Sequence, residues 1–135
     1  MRILYLHGFR SSPLSTKAQT MARRVAAHNA TALPNQRIQW HCPQLPPSPA
    51  QAMTDVMQWV EAGAGTSESL AVIGSSLGGF YAALVAQATG CRCVVLNPAV
   101  YPGRDLQAYV GRVTNWHDER GYEFTQEHVN EVQAM

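Results

Sequence analysis

Apolar residues along this chain fall alternately into short continuous runs and into stretches that repeat every three to four positions, the mark of strands alternating with helices. Arg2 to Leu6 (RILYL) is a short apolar run ending at His7-Gly8 and reads as a buried parallel strand. Ser11, Ser12 and Pro13 make a loop. From Ser15 to about His28, Ala18, Met21, Ala22, Val25 and Ala26 recur at helical spacing, with Lys17, Arg23 and Arg24 on other faces. Arg37 to Cys42 alternates Ile38, Trp40 and Cys42, a second strand. The proline-rich loop Pro43 to Pro49 then delays the next helix, Ala50 to Glu61, which stops at Gly63-Ala64-Gly65.

Leu70 to Ile73 is the third strand, Leu77 to Ala88 a small-residue helix ending at Gly90, and Arg92 to Leu96 the fourth strand, closed by Asn97-Pro98. Beyond it, Asp105 to Val110 reads as one or two helical turns and Thr125 to Gln133 as a polar terminal helix, while Gly111 to Gly121 reads as loop. Strand-helix repetition of this kind needs right-handed crossovers and a parallel sheet covered on both faces. The expected fold is three-layer α/β, a single domain over residues 1–135 with strand order 2-1-3-4. Ligands then bind above the carboxyl ends of the strands.

Composition narrows the function classes. The chain has 135 residues, 46% of them hydrophobic, with 10 Lys+Arg against 9 Asp+Glu and a net charge of +1. No basic surplus points to nucleic acid or an anionic membrane. Apolar runs such as Cys93 to Leu96 are too short to cross a bilayer. The N-terminus has no helical signal-peptide core, so a cytoplasmic location is expected. Cys42, Cys91 and Cys93 read as free thiols. A metal site from His41 and these cysteines is set aside, because Cys91 and Cys93 are spaced C-x-C and the usual C-x-x-C knuckle is absent.

The strongest chemical signal is Gly74-Ser75-Ser76-Leu77-Gly78. This G-x-S-x-G follows an apolar strand and opens a helix, the context of a nucleophile elbow. The turn would hold Ser76 in a strained conformation with its hydroxyl clear of the sheet, and the helix N-terminus would add positive partial charge. Glycine spacing centres on Ser76 rather than Ser75. His7-Gly8-Phe9, after the first strand, faces the elbow in this topology, so the backbone N–H groups of Phe9 and Leu77 are the expected oxyanion donors. His7, Gly8 and Gly78 are expected to line the substrate site, with His7 orienting the loop rather than serving as base.

Together, Leu4-Tyr5-Leu6-His7-Gly8-Phe9, Ser11-Ser12-Pro13, Pro43-Gln44-Leu45-Pro46-Pro47, Gly74 to Ala82, and Leu96-Asn97-Pro98-Ala99-Val100 resemble the YqiA-like esterase family of small bacterial α/β-hydrolases. The resemblance implies a carboxylesterase for short acyl esters, without metal or organic cofactor, in which Ser76 is the nucleophile. In that family the catalytic aspartate follows a fifth strand in a G-D-E-V-L-D-like block, and the histidine a sixth strand in a G-G-x-H-x-F-like block. Neither block occurs in this sequence. The expectation is therefore a sheet lacking its C-terminal strands, a triad truncated after its first member, and a weak esterase in isolation. The alternative is a non-catalytic binding module that keeps the hydrolase pocket.

After Ser76 the remaining candidates are Asp105, Asp118, His117 and His128, all read as solvated surface. Asp55 and His28 are read as remote from the elbow, and Trp116, Tyr122 and Phe124 as a local packing cluster rather than a cap. The fourth strand is expected either to pair with another copy of the chain or to be covered by residues 105–135.

Overall fold

The structure, a computed structural model, describes residues 1–63, 69–117 and 120–135. Its centre is a parallel four-stranded sheet, β1 (Arg2–Leu6), β2 (Gln39–His41), β3 (Leu70–Ser75) and β4 (Arg92–Leu96), in the order β2-β1-β3-β4. Between the strands run α1 (Thr16–Thr31), α2 (Pro49–Ala62) and α3 (Leu77–Thr89). Two shorter helices follow, α4 (Pro102–Leu106) and α5 (Gln126–Gln133), separated by an antiparallel hairpin of β5 (Gly111–Thr114) and β6 (Gly121–Phe124).

Period-2 alternation on the central strands divides the core into two layers. Leu4, Leu6 and Val72 face Ala52, Val56 and Val60 of α2 and Tyr81 and Val85 of α3. Ile3, Tyr5 and Ile73 face Ala18 of α1. Side chains on both faces of β1 and β3 are thus covered by helices, as their continuous apolar runs require.

Local chemistry sets the helix boundaries. The Ser15 hydroxyl accepts the Ala18 N–H at the start of α1, and Ser48 does the same for Gln51 at the start of α2. Pro49 lies inside α2 as its first residue, where a missing N–H costs nothing, so the helix begins within the proline-rich segment rather than after it. Gly90 ends α3 with φ +70°. At the other end of α2, the buried Arg2 donates to the carbonyls of Trp59 (2.6 Å) and Val60 (3.2 Å).

In the C-terminal third one expectation changes and one open alternative narrows. Residues 111–114 and 121–124 are strands rather than loop, with Val113 opposite Tyr122 and Gly111 opposite Phe124. Each strand has only four residues, and no two-residue turn of the Asn-Gly kind announces the hairpin. Among the described residues the segment does not cover β4: α5 packs on α2 and α4, whereas β4 packs on β3 and α3. Val94 is 52% exposed.

Candidate functional site

The register of β1 on β3 pairs Leu6 with Gly74, so the loop after β1 and the turn after β3 emerge side by side at the carboxyl edge of the sheet. Ser76, between β3 and α3, has φ +55° and ψ −122°. A residue with a side chain adopts this region only when its surroundings hold it there. Here the Ser76 N–H donates to Leu96 O (3.1 Å), and its carbonyl accepts from Gly79 N (2.9 Å) and Ala99 N (3.0 Å). The turn is thereby fastened to α3 and to the segment after β4.

Close backbone approach accounts for the glycines. A Cβ on Gly78 would strike the carbonyls of Leu6 and His7, and one on Gly74 the carbonyl of Gly78, so neither strand-helix contact could form with alanine. A Cβ on Gly8 would lie 3.0 Å from Ser76 Cβ and 3.5 Å from its Oγ. Gly8 thus lies beside the hydroxyl, and its missing side chain leaves that space open.

His7 is 4% exposed and holds this loop with both ring nitrogens. The Leu45 N–H donates to Nε2 (3.0 Å), which makes Nε2 an acceptor and puts the proton on Nδ1. Nδ1 then donates to Gly8 O (2.9 Å). Burial lowers the His7 pKa below its ordinary 6.5, partly opposed by the Gly8 hydrogen bond and reinforced by His117, so the ring is neutral near pH 7. Among the described residues, the backbone N–H groups of Phe9 and Leu77 have no hydrogen-bond partner.

The chain matches the family described as Uncharacterised protein family (UPF0227) over residues 2–135. It belongs to that family. In this UPF0227 member two clefts flank the Phe9–Leu77 line. One of about 350 Å³ holds Ser76 with Asn97, Pro98, Asp105, Tyr109 and Trp116. The other, about 400 Å³, is walled by Leu45, Pro46 and Pro47 of the proline-rich loop, by Tyr81, and by Tyr122 of the hairpin. Phe9, Arg10 and Leu77 line both.

Asp55 of α2 also lines the larger cleft, so it is not remote from the elbow; its carboxylate accepts from Gln51 Nε2 (2.7 Å). Asp105 shares the cleft of Ser76 but pairs with Arg104 (2.8 Å).

The histidines divide by task. His28 bonds Gln36 O (3.1 Å), His41 stacks on Trp59 (4.6 Å between centroids), and His128 caps α5 by accepting the Thr125 N–H (3.1 Å). His117 lines a small pocket with His7, Gly8 and Ser75. Asp118 lies outside the described residues. Among the described residues no histidine or carboxylate hydrogen-bonds the Ser76 hydroxyl, no group of three or more His, Cys, Asp or Glu is placed to hold a metal ion, and no helix is long and apolar enough to cross a membrane. Cys42 is half-buried, with its thiol pushed up to about 11 by burial.

The aromatics are both packing cluster and wall. Phe124 is 1% exposed and meets the Phe9 ring edge-on at 4.8 Å, Tyr122 meets it at 6.5 Å, and Trp116 lies exposed beneath the Arg10 guanidinium. Neither Arg10 nor Tyr81 stands out in the sequence as a lining residue.

Proposed function

We propose that this protein is a serine hydrolase of short-chain carboxylic esters. The observation that carries the reading is the φ of +55° at Ser76, in a strand-turn-helix whose glycines are required by contact. Three of the segments that resemble the YqiA-like esterases meet at this turn: the loop after β1 through Gly8, Gly74 to Ala82, and Leu96 to Ala99 through hydrogen bonds to Ser76.

In this mechanism Ser76 Oγ attacks the ester carbonyl carbon, and the carbonyl oxygen becomes an oxyanion that accepts from the Phe9 and Leu77 N–H groups. Neither has another partner among the described residues, which leaves both free to donate. Each such donor is worth about 3 kcal/mol in comparable sites. The α3 N-terminus adds partial positive charge at the same point. Collapse of the tetrahedral species expels the alcohol, which takes up the proton that the acceptor removed from Ser76, and leaves an acyl group on Ser76 that water releases as the carboxylic acid, restoring the hydroxyl. Gly8 leaves room for the acyl carbonyl, neutral His7 fixes the loop carrying Phe9, and Gly78 lets α3 close beneath it. No metal or organic cofactor takes part.

The Ser76 proton needs an acceptor. His117 is one source; the family resemblance implies instead a histidine after a sixth parallel strand. His117→Gln tests the first: loss of turnover assigns His117, and retained Ser76-dependent turnover excludes it.

A second reading, a binding module that keeps the pocket without the chemistry, is favoured by the absence, among the described residues, of a base on the Ser76 hydroxyl. Hydrolysis of a short-chain nitrophenyl ester by the wild type and by Ser76→Ala decides between them. Loss of turnover in the variant supports the hydrolase; equal rates support the binding module.

A further inference from the structure

The loop after β1 makes a tight turn in which Ser11 N–H donates to Gly8 O (3.2 Å), with Phe9 and Arg10 at its centre. Arg10, the third residue of the turn, has φ +59°. Turns that need a positive φ at this position usually place Gly or Asn there. An arginine in this conformation persists only if the surrounding structure holds it.

The hairpin supplies the hold. Arg10 Nε donates to Thr114 O (2.6 Å) and NH2 to Thr114 Oγ1 (3.2 Å). The Arg10 carbonyl accepts the Trp116 N–H (2.8 Å), and its guanidinium lies 3.9 Å from the Trp116 ring centroid. Next to it, the Phe9 ring is enclosed edge-on by Phe124 (4.8 Å) and Tyr109 (5.4 Å). Side chains and carbonyl of the turn are thus committed to the C-terminal third, and the Phe9 N–H is left without a partner among the described residues. β1 ends at Leu6, three residues before Phe9, so the strand alone does not set the direction of that N–H.

We propose that Arg10 is a positioning residue that locks the Phe9 N–H into oxyanion-binding geometry by fastening the turn to the β5–β6 hairpin. This rests on the serine-hydrolase reading for its catalytic consequence; the fastening itself does not. A misplaced group near a reaction centre can cost on the order of 100-fold in rate, so loss of the guanidinium should act on the transition state more than on the bound ester.

Arg10→Asn tests this, because Asn tolerates the left-handed conformation and removes only the tether. Three quantities are compared with the wild type: kcat and KM for a short-chain nitrophenyl ester, and Ki for a short alkylboronic acid, whose tetrahedral adduct on Ser76 uses the oxyanion donors. The expected result is a kcat lower by roughly 10- to 100-fold, KM within about two-fold, and Ki raised in parallel with the fall in kcat. A lower kcat with Ki unchanged would mean only less folded enzyme and would overturn the proposal, as would wild-type values throughout.

If the wild type shows no Ser76-dependent turnover, the hydrolase reading is what fails. Hydrogen exchange over residues 8–15 then decides the fastening. Faster exchange at Ser11 and Ser15 in Arg10→Asn supports it, and unchanged exchange overturns it.

Discussion

Ser76 concentrates the tension between folding and function in one backbone angle. A side chain at φ +55° and ψ −122° costs on the order of 1–3 kcal/mol, and glycine would adopt it freely. Ser76→Gly is therefore expected to raise unfolding stability by about 1 kcal/mol in urea titration, with turnover abolished; a variant no more stable than wild type would show that the turn is unstrained. His7 gives a second residue-scale prediction. Its pKa is lowered in the folded protein, so the unfolded chain binds more protons as pH drops below 6.5. Stability contributed by the neutral ring is full above that value and declines below it until the folded ring itself titrates. Melting temperature should fall from about pH 7 to about pH 5, and less steeply in His7→Gln, whose amide can still accept from Leu45. Some slope will remain, because burial and Arg2 lower His41 in the same direction. A slope unchanged by the substitution would contradict the assignment.

Among the elements, α5 shows how the C-terminal third is fastened to the sheet domain. α2 has no acidic residue in its own first turn. Glu131 of α5 takes that place, accepting from Ser48 Oγ (2.8 Å) and Ala50 N (3.0 Å). A carboxylate at a helix N-terminus contributes about 0.3–2 kcal/mol, so Glu131→Gln should lower stability by about 1 kcal/mol, read from the urea midpoint. No change would mean that Val129 and Val132, both buried, carry the docking alone. The legibility of elements follows their physical signals. β4 was readable to the residue because Arg92 and an apolar run of four, Cys93 to Leu96, are bounded by Gly90 and Asn97-Pro98. The β5–β6 hairpin was not, since its strands are four residues long and its connection carries no turn signature. With the hairpin hidden, its grip on Arg10 and Phe9 was hidden too. G-x-S-x-G, by contrast, announces Ser76 because every glycine answers a backbone collision that neighbouring elements impose.

At the scale of the whole molecule, the strand order 2-1-3-4 places the elbow beside the first loop, and that adjacency creates the candidate site. The same order leaves β4 at an edge with Val94 and Val95 exposed. An exposed apolar edge strand is a template for pairing. We propose that the chain self-associates there: sedimentation should show a concentration-dependent dimer that Val94→Lys weakens, and a monomer at every concentration would contradict it. Ser76 is tested most directly by release of nitrophenol from a short-chain ester by the purified protein beside Ser76→Ala. A nucleophilic Ser76 gives turnover by the wild type and only the uncatalysed rate with the variant. Equal rates in the two proteins would contradict it, leaving the strained turn as the architecture of a binding pocket rather than of a catalyst.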